Sequence, residues 1–154
     1  MAAQEGAGER LVTTNRKARH DYTILETYEA GIVLTGTEAK SLRLGSANLS
    51  NGYAMVRNGE VWIVGMHISP YEQGSYSNVD PIRNRKLLLH KKEIRKLLNR
   101  TAEQGLTLVP LKVYFKNKVA KVLIGIGKGK KAYDKRHDIA KRDVERAIRQ
   151  RYAR

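Results

Sequence analysis

The stretch that comes closest to a catalytic motif is GIGKGKKA (125–132), whose glycines and lysines are the residue types of phosphate-binding loops. It lacks the G-x-x-x-x-G-K-[ST] spacing and a hydroxyl for magnesium, and the chain contains no G-x-G-x-x-G. There is no cysteine, and the four histidines are scattered without an H-E-x-x-H motif. No two acids share an apolar setting that would separate their pKa values for acid–base catalysis. The sequence therefore predicts a protein that is not an enzyme and that needs no metal and no cofactor.

Positive charge is the dominant chemical property of the chain. Its 154 residues include 30 Lys or Arg and 15 Asp or Glu, which gives a formal net charge of +15. Such an excess predicts a polyanionic partner, because each Lys or Arg placed on a phosphate releases condensed counterions. Nucleic acid is the leading candidate for that partner, and an anionic membrane surface is the alternative.

The sequence offers no signal for export or for a membrane span. The longest apolar run, VWIVGM (61–66), is far shorter than the roughly 20 residues of a spanning helix. The first ten residues, MAAQEGAGER, contain no apolar segment of the kind found in signal peptides. Together with the absence of cysteine, this pattern predicts a protein of the reducing cytoplasm.

Apolar periodicity and turn residues predict a β-rich body. Asn58-Gly59, between two apolar runs, supplies the two positive φ angles of a type I′ hairpin turn. The apolar residues of a second hairpin change from one face of the strand to the other beside Pro110, and this change predicts a bulge there. Helices are expected at 37–45, with Thr37 as the N-cap, and in the second half of 85–105, which Gly105 ends. The expected strands lie in 22–36, 53–64, 87–89 and 106–126.

About six strands and two helices follow one another without β-α-β alternation. This order predicts a mainly β, α+β fold, a small antiparallel β-barrel with flanking helices. The barrel is expected to span residues 15–127. A flexible, Gly/Ala-rich arm (1–14) is expected before it, and a basic C-terminal tail (128–154) after it.

Two clusters of basic residues are candidate RNA contacts. The first, NRKARH (15–20), stands immediately before the first long strand and is either a solvated cap on the barrel or an RNA-binding element. The second is the basic face of the helix at 92–100, which is equally typical of an ordinary solvated face. The candidates in the first cluster are Arg16, Lys17, Arg19 and His20.

Two single residues also stand out against their surroundings. Lys121 is flanked by apolar residues on a strand, so it either extends its amine into water or points at a partner. Glu29 is an acid in a basic domain. It is either a surface carboxylate or an acceptor for base and sugar donors, since a carboxylate repels phosphate and would contribute selectivity.

The last 28 residues hold eleven basic and four acidic residues and almost no apolar surface. Beyond Asp134 they contain no Gly or Pro, and Val144, Ile148 and Tyr152 form a thin apolar line at helical spacing. An isolated helix of this length is marginal in water. The tail is therefore expected to be disordered alone and helical inside an RNA-lined cavity, with a purely solubilising tail as the alternative.

Several motifs, in order along the chain, resemble those of the small protein B family, the bacterial tmRNA-binding (SsrA-binding) proteins of trans-translation. The resemblance is carried by NRKARHDY (15–22), EAGIVLTGTEAKSLR (29–43), RKLLL (85–89) and KGKKAYDKR (128–136), and it covers residues 15–154. It implies an oligonucleotide-binding-type (OB-fold-like) barrel. It also implies binding to the tRNA-like domain of tmRNA and support of its alanylation. Delivery to stalled ribosomes with EF-Tu and GTP is a further implication.

The resemblance also assigns roles to residues. It implies that Glu29, Leu88 and Lys121 support RNA binding, and that the motif starting at Asp134 works on the ribosome. The tail would enter the empty mRNA channel beside the decoding centre. The chemistry of GTP and of alanyl-tRNA synthetase would belong to those partners. Position 133 departs from some family members, because Tyr replaces His and can stack but not carry a charge.

The candidate residues form two groups. The protein is expected to be a monomer. The RNA-binding group comprises Glu29, Leu88, Lys121, Arg16, Lys17, Arg19, His20, Lys128, Lys130 and Lys131. The group in the tail that is expected to act on the ribosome, at the decoding centre, comprises Tyr133, Asp134, Lys135, Arg136, Lys141, Arg142, Arg146, Ile148 and Arg149, and the expected ribosomal partner is the small-subunit rRNA. A structural ribosomal protein, a general RNA chaperone, an RNA-processing enzyme and a membrane-surface protein remain the rival interpretations.

Overall fold

The computed structural model describes residues 9–72 and 78–130, without the side chains of 103 and 104. This part of the chain forms nine strands and three helices. They are, in chain order, β1 (Glu9–Thr14), α1 (Arg16–Asp21), β2 (Tyr22–Ile32), α2 (Gly36–Arg43), β3 (Ala47–Asn48), β4 (Tyr53–Arg57), β5 (Glu60–Val64), β6 (His67–Ile68), β7 (Arg85–Leu88), α3 (Lys91–Gln104), β8 (Thr107–Lys116) and β9 (Val119–Gly129).

Six of the strands close into a ring. They run in the order β4-β5-β7-β2-β9-β8, every pair is antiparallel, and β8 returns to β4. The inner face carries the apolar core, in which Val61, Ile63, Val122 and Ile124 have no exposed surface. The predicted small antiparallel barrel with flanking helices is thus confirmed. Short strands β3 and β6 pair with each other outside the ring.

The N-terminal arm needs a correction. Residues 1–8 lie outside the described part, but Glu9–Thr14 form strand β1 on the edge of β8 and are not a flexible arm. The cause lies in β8, which pairs with β4 only at Leu108 and leaves the edge of 112–116 open. Unpaired backbone groups on a strand edge favour addition of a further strand, and β1 supplies it. Strand β9 likewise runs to Gly129, past the predicted barrel boundary at 127.

The two predicted backbone irregularities are confirmed. Asn58 and Gly59 have φ angles of 53° and 73°, as a type I′ turn between β4 and β5 requires. The register between β8 and β9 shifts between Pro110 and Lys112. That bulge turns two carbonyls toward Asn15. The backbone N–H of Asn15 donates to the Leu111 carbonyl at 2.7 Å, and its side-chain amide donates to the Pro110 carbonyl at 3.0 Å. Asn15 in turn caps α1, since its Oδ1 accepts from the Ala18 N–H.

Helix α2 starts earlier than predicted, and this changes which residue caps it and where Glu38 lies in the helix. Thr35, not Thr37, is the N-cap, and Glu38 occupies the third helical position of a capping box. Glu38 is buried, and its carboxylate accepts from Arg85 Nε at 2.5 Å and from Arg83 Nη2 at 2.5 Å. Arg85 is fully buried and also donates to the carbonyls of Met66 and Pro81. This cluster ties α2 to β7 and to the connection before it.

Helix α3 covers one opening of the barrel. Leu97 is fully buried and Ile94 packs on the core, whereas Leu98 is about half exposed. Gly105 ends the helix at φ 61°, in the left-handed conformation predicted for it. Within the described ranges, no helix has both the length and the apolar character of a membrane span.

Candidate nucleic-acid interface

A groove on the outer face of the barrel brings together three residues from distant parts of the chain. The register sets Gly31 of β2 opposite Leu88 of β7 on one side and opposite Lys121 of β9 on the other. With Glu29, two positions earlier on β2, these residues line a groove of about 460 Å³. Its remaining lining residues are Ile32, Leu89, His90, Glu93 and Val119.

Strand alternation explains why these side chains face outward. Ala30 and Val122 have no exposed surface and point into the barrel, so their neighbours Glu29, Gly31 and Lys121 point out. Leu88 is 53% exposed and follows the buried Leu87. Gly31 forms the floor between Leu88 and Lys121, where a Cβ atom would lie 3.4 Å from Leu88 Cβ. The groove therefore pairs an apolar wall with a cationic wall.

The carboxylate of Glu29 is held in place by a residue that the sequence analysis missed. The Tyr114 hydroxyl donates to Glu29 Oε2 at 2.5 Å, and Lys116 Nζ lies 3.6 Å from Oε1. The Tyr114 hydrogen bond, and then the charges of Lys116 and Lys121, outweigh the effect of burial and hold the pKa of Glu29 below its ordinary value. Glu29 is therefore ionised and acts only as an acceptor.

Tyr114 stands on the same outer face, opposite Lys121 in the register of β8 and β9. It is 4% exposed, and burial together with the carboxylate of Glu29 raises the pKa of its hydroxyl, so that Tyr114 stays a proton donor. The amine of Lys112 lies 4.8 Å from the centre of its ring. Alternation along β8 was a usable signal for the outward side chain of Tyr114, which lies between the apolar Val113 and Phe115, but its contact with Glu29 requires the register of three strands.

The predicted basic cluster at 15–20 forms helix α1 beside this groove. Ala18 is buried against Val109 and Leu111, and Leu123 packs on the same cluster. Leu123 lies opposite Glu29 in the register, so α1 and the groove share one face of the sheet. The basic residues that α1 exposes are Arg16, Lys17 and Arg19.

His20 and the first lysines of the predicted tail have local partners. His20 Nδ1 lies 3.0 Å from Asp21 Oδ1, so this side chain is engaged within α1. Lys128 is exposed near the end of β9, opposite Thr23. Lys130 donates its backbone N–H to the Asp21 carbonyl at 2.9 Å and its amine to the Arg19 carbonyl at 3.3 Å. Lys130, the last described residue, therefore lies beside α1.

The other predicted site residues lie outside the described part of the chain. They are Lys131, Tyr133, Asp134, Lys135, Arg136, Lys141, Arg142, Arg146, Ile148 and Arg149. Within 9–72 and 78–130, no group of three or more histidine and acidic side chains is placed to hold a metal ion. What the described geometry offers is ionic, apolar and hydrogen-bonding contact with a polyanion.

Comparisons with known proteins agree with one another. The family model described as SmpB protein matches residues 12–154. An SsrA-binding protein of Ligilactobacillus salivarius is 62% identical over 92% of this chain and 91% of its own length. One of Acetivibrio thermocellus is 61% identical over 98% and 96%.

Structural similarity points the same way. A chain solved in "tmRNA-SmpB: a journey to the center of the bacterial ribosome" is 58% identical, with a TM-score of 0.65 over 78% of this chain and 85% of that one. The sequence matches extend over nearly the whole chain, and the solved chain has a similar fold. The chain belongs to the SmpB protein family.

Proposed function

We propose that this protein binds tmRNA through the outer face of its barrel and acts with it on the ribosome in trans-translation. The names of the curated relatives and the tmRNA–SmpB ribosome structure support the partner. The observation that carries the proposal is the groove, because β7, β2 and β9 join Glu29, Leu88 and Lys121 in one site. A barrel with a net positive charge supplies the long-range attraction to RNA.

Each groove residue has a distinct chemical task in this proposal. The amine of Lys121 contacts a phosphate, and Leu88 packs against the apolar face of a base or sugar. The carboxylate of Glu29, fixed by Tyr114, accepts hydrogen bonds from base or ribose donors. Arg16, Lys17 and Arg19 on α1 add phosphate contacts on the same face.

Glu29→Gln and Lys121→Gln should both weaken binding to tmRNA, but with different salt dependence. Lys121→Gln removes a phosphate contact, so the slope of log K against log salt should become shallower by about 0.7–0.9. Glu29→Gln removes the negative charge and replaces one of the two acceptor oxygens by a donor, so affinity should fall about 3- to 10-fold with little change of slope. Gel shifts at several salt concentrations measure both quantities.

The sign of the Glu29→Gln effect separates the two interpretations of this residue. A plain surface carboxylate repels phosphate, so its removal would make RNA binding slightly tighter rather than weaker. Arg57→Gln on β4 is the matched control for charge, because Arg57 is exposed, does not line the groove and belongs to neither candidate basic cluster. Unchanged affinity in both groove variants would contradict the assignment of the site.

Gly31→Val should block the groove without harming the fold. Valine suits a strand and glycine weakens one, so thermal stability should be equal or higher. The added methyl groups fill the floor beside Leu88, and tmRNA affinity should fall at least tenfold, equivalent to about 1.4 kcal/mol. Gly31→Ala should give a smaller loss. Wild-type affinity in both variants, measured by gel shift, would mean that RNA does not enter the groove.

The finer steps of the proposed function rest on the family resemblance. In this proposal the protein supports alanylation of the tRNA-like domain and accompanies tmRNA with EF-Tu and GTP to stalled ribosomes. It acts as a cytoplasmic monomer and contributes no catalytic step of its own. The rival, a structural ribosomal protein, would be present on idle ribosomes in stoichiometric amount. Ribosome sedimentation with and without tmRNA distinguishes the two, since the proposal requires recruitment with tmRNA only.

A further inference from the structure

A second basic pocket lies on the other side of the β8–β9 turn. Its volume is about 290 Å³, and it is lined by Arg10 of β1, Arg43 at the end of α2, Phe115 of β8 and Lys118 in the turn. Three of these four residues are cations and none is an acid. None of the three was among the candidates from the sequence, because the pocket joins elements that are far apart in the chain.

The guanidinium of Arg10 is held ready for a ligand. Its Nη2 donates to the Arg43 carbonyl at 2.6 Å, and its central carbon lies 5.3 Å from the centre of the Phe115 ring. A guanidinium fixed in this way still has N–H groups free, and it loses little side-chain entropy when it binds an oxyanion. The pocket therefore has the properties of a pre-formed phosphate site.

The three cations of this pocket, unlike some basic residues of the barrel, have no acidic partner among the described residues. Lys86 pairs with Glu60, Lys116 with Glu29, and Arg100 with Glu26. Among the described residues, by contrast, no carboxylate lies within ion-pair distance of the cations at positions 10, 43 and 118. Their positive charge is not neutralised within the described barrel.

The backbone at Lys118 gives a second, independent observation. Lys118 has a φ angle of 68°, in the left-handed region where glycine is more relaxed than any residue with a Cβ atom. A lysine at such a position points to a use for its amine. Lys118 is followed directly by Val119, which lines the groove. The pocket and the groove thus meet at the β8–β9 turn.

We propose that the pocket formed by Arg10, Arg43 and Lys118 binds a phosphate of the same RNA strand that occupies the groove. The strand crosses the β8–β9 turn from Val119 to Lys118, so its footprint extends from β7 around the barrel to β1. This inference rests on the proposed function, because it takes the RNA in the groove as its ligand. The phosphodiester group is the feature recognised.

The test uses Lys118→Gly and Arg43→Gln in the full-length protein. Lys118→Gly removes the amine while relaxing the backbone, so its melting temperature should equal or exceed that of the wild type. Each variant should bind tmRNA about 2- to 10-fold more weakly at low salt. Each should also lower the magnitude of the salt slope by about 0.7–0.9, the value for one phosphate contact. Arg57→Gln, with the same loss of charge at an exposed position of β4 outside both the groove and the pocket, should leave the slope unchanged.

Three outcomes would overturn the inference. Wild-type salt slopes in both variants would show that no phosphate occupies the pocket. A loss confined to ribosome binding, with tmRNA binding unchanged, would assign the pocket to rRNA and break its continuity with the groove. If the wild-type protein itself fails to bind tmRNA, the proposed function is wrong. Oligouridine then replaces tmRNA as the probe, and an unchanged slope for Lys118→Gly overturns the pocket as well.

Discussion

Glu38→Ala should lower the free energy of unfolding by about 3–5 kcal/mol, because it breaks a buried ion pair. Glu38 is 4% exposed and Arg85 has no exposed surface. Removal of the carboxylate leaves the Arg85 guanidinium buried beside Arg83 without the ion-pair partner that it contacts directly. It also removes the side chain that closes the capping box of α2 at Thr35. For a domain of this size, such a loss is a large part of the total stability.

The measurement is chemical denaturation of the wild type, the variant and a matched control. Glu60→Ala removes an exposed ion pair with Lys86, so it should cost only about 0.2–1 kcal/mol. Glu38→Gln keeps an acceptor for Arg85 and should fall between the two. A loss in Glu38→Ala no larger than that of Glu60→Ala would show that the buried cluster does not hold the fold together.

The stability that Glu38 contributes should depend on pH. Burial opposes ionisation of Glu38, but hydrogen bonds from Arg83, the Thr35 N–H and Arg85 outweigh it and lower its pKa. A carboxyl with a lowered pKa contributes stability that is fully present above its unfolded-state pKa. That contribution is lost as the pH falls through the folded-state pKa. The acid-dependent loss should therefore be smaller in Glu38→Gln, which has no carboxyl at this position to titrate.

The cluster of Glu38, Arg83 and Arg85 also reaches the proposed RNA-binding face. Arg85 and Leu88 belong to the same four-residue strand, so the contacts that fix Arg85 against α2 also fix the exposed leucine of the groove. Mutants of Glu38 that remain folded should therefore be assayed for RNA binding only after their stability is known. Measuring stability first distinguishes a weaker RNA affinity caused by displacement of β7 from one caused by the loss of a direct RNA contact.

Local rules predicted those features of the fold whose causes are local. The two positive φ angles at Asn58-Gly59, the bulge at Pro110 and the helix end at Gly105 depend on a few adjacent residues, and all are confirmed. The strand at 9–14 and the helix at 16–21 depend instead on partners about 100 residues away along the chain. Composition at these positions gave no sign of the open edge of β8 or of the carbonyls at its bulge.

The residues of the candidate site likewise include some that the local sequence indicates and others that only the tertiary structure indicates. Lys121 was noticeable because it interrupts an apolar pattern, and Glu29 because it is an acid in a basic domain. The resemblance to a family was needed to add Leu88, since one leucine in LLL looks like any other. Tyr114 was missed because its role exists only where β2, β9 and β8 lie side by side. Charge and strand alternation indicate which residues can belong to a site, whereas the register of the paired strands determines which of them are in contact.

Deletion of residues 134–154 should abolish tagging of stalled peptides while leaving tmRNA binding nearly intact. The groove and the exposed cations of α1 all lie before the deleted segment. The contacts of Lys130 with Asp21 and Arg19, which fix the point where the chain leaves the barrel, are kept as well. Under the proposed function the deleted residues act on the ribosome, so the truncated protein should still deliver tmRNA but fail at the decoding centre.

Two assays on one truncated protein separate these tasks. Gel shifts with tmRNA should give an affinity within about threefold of the full-length value, a change of less than 1 kcal/mol. Tagging in a translation extract stalled on a message without a stop codon should fall to background. Because the deletion removes basic residues, a small loss of affinity that disappears at high salt reflects general attraction to RNA. A large, salt-independent loss would place part of the tmRNA site in the tail, and retained tagging would show that the barrel alone acts on the ribosome.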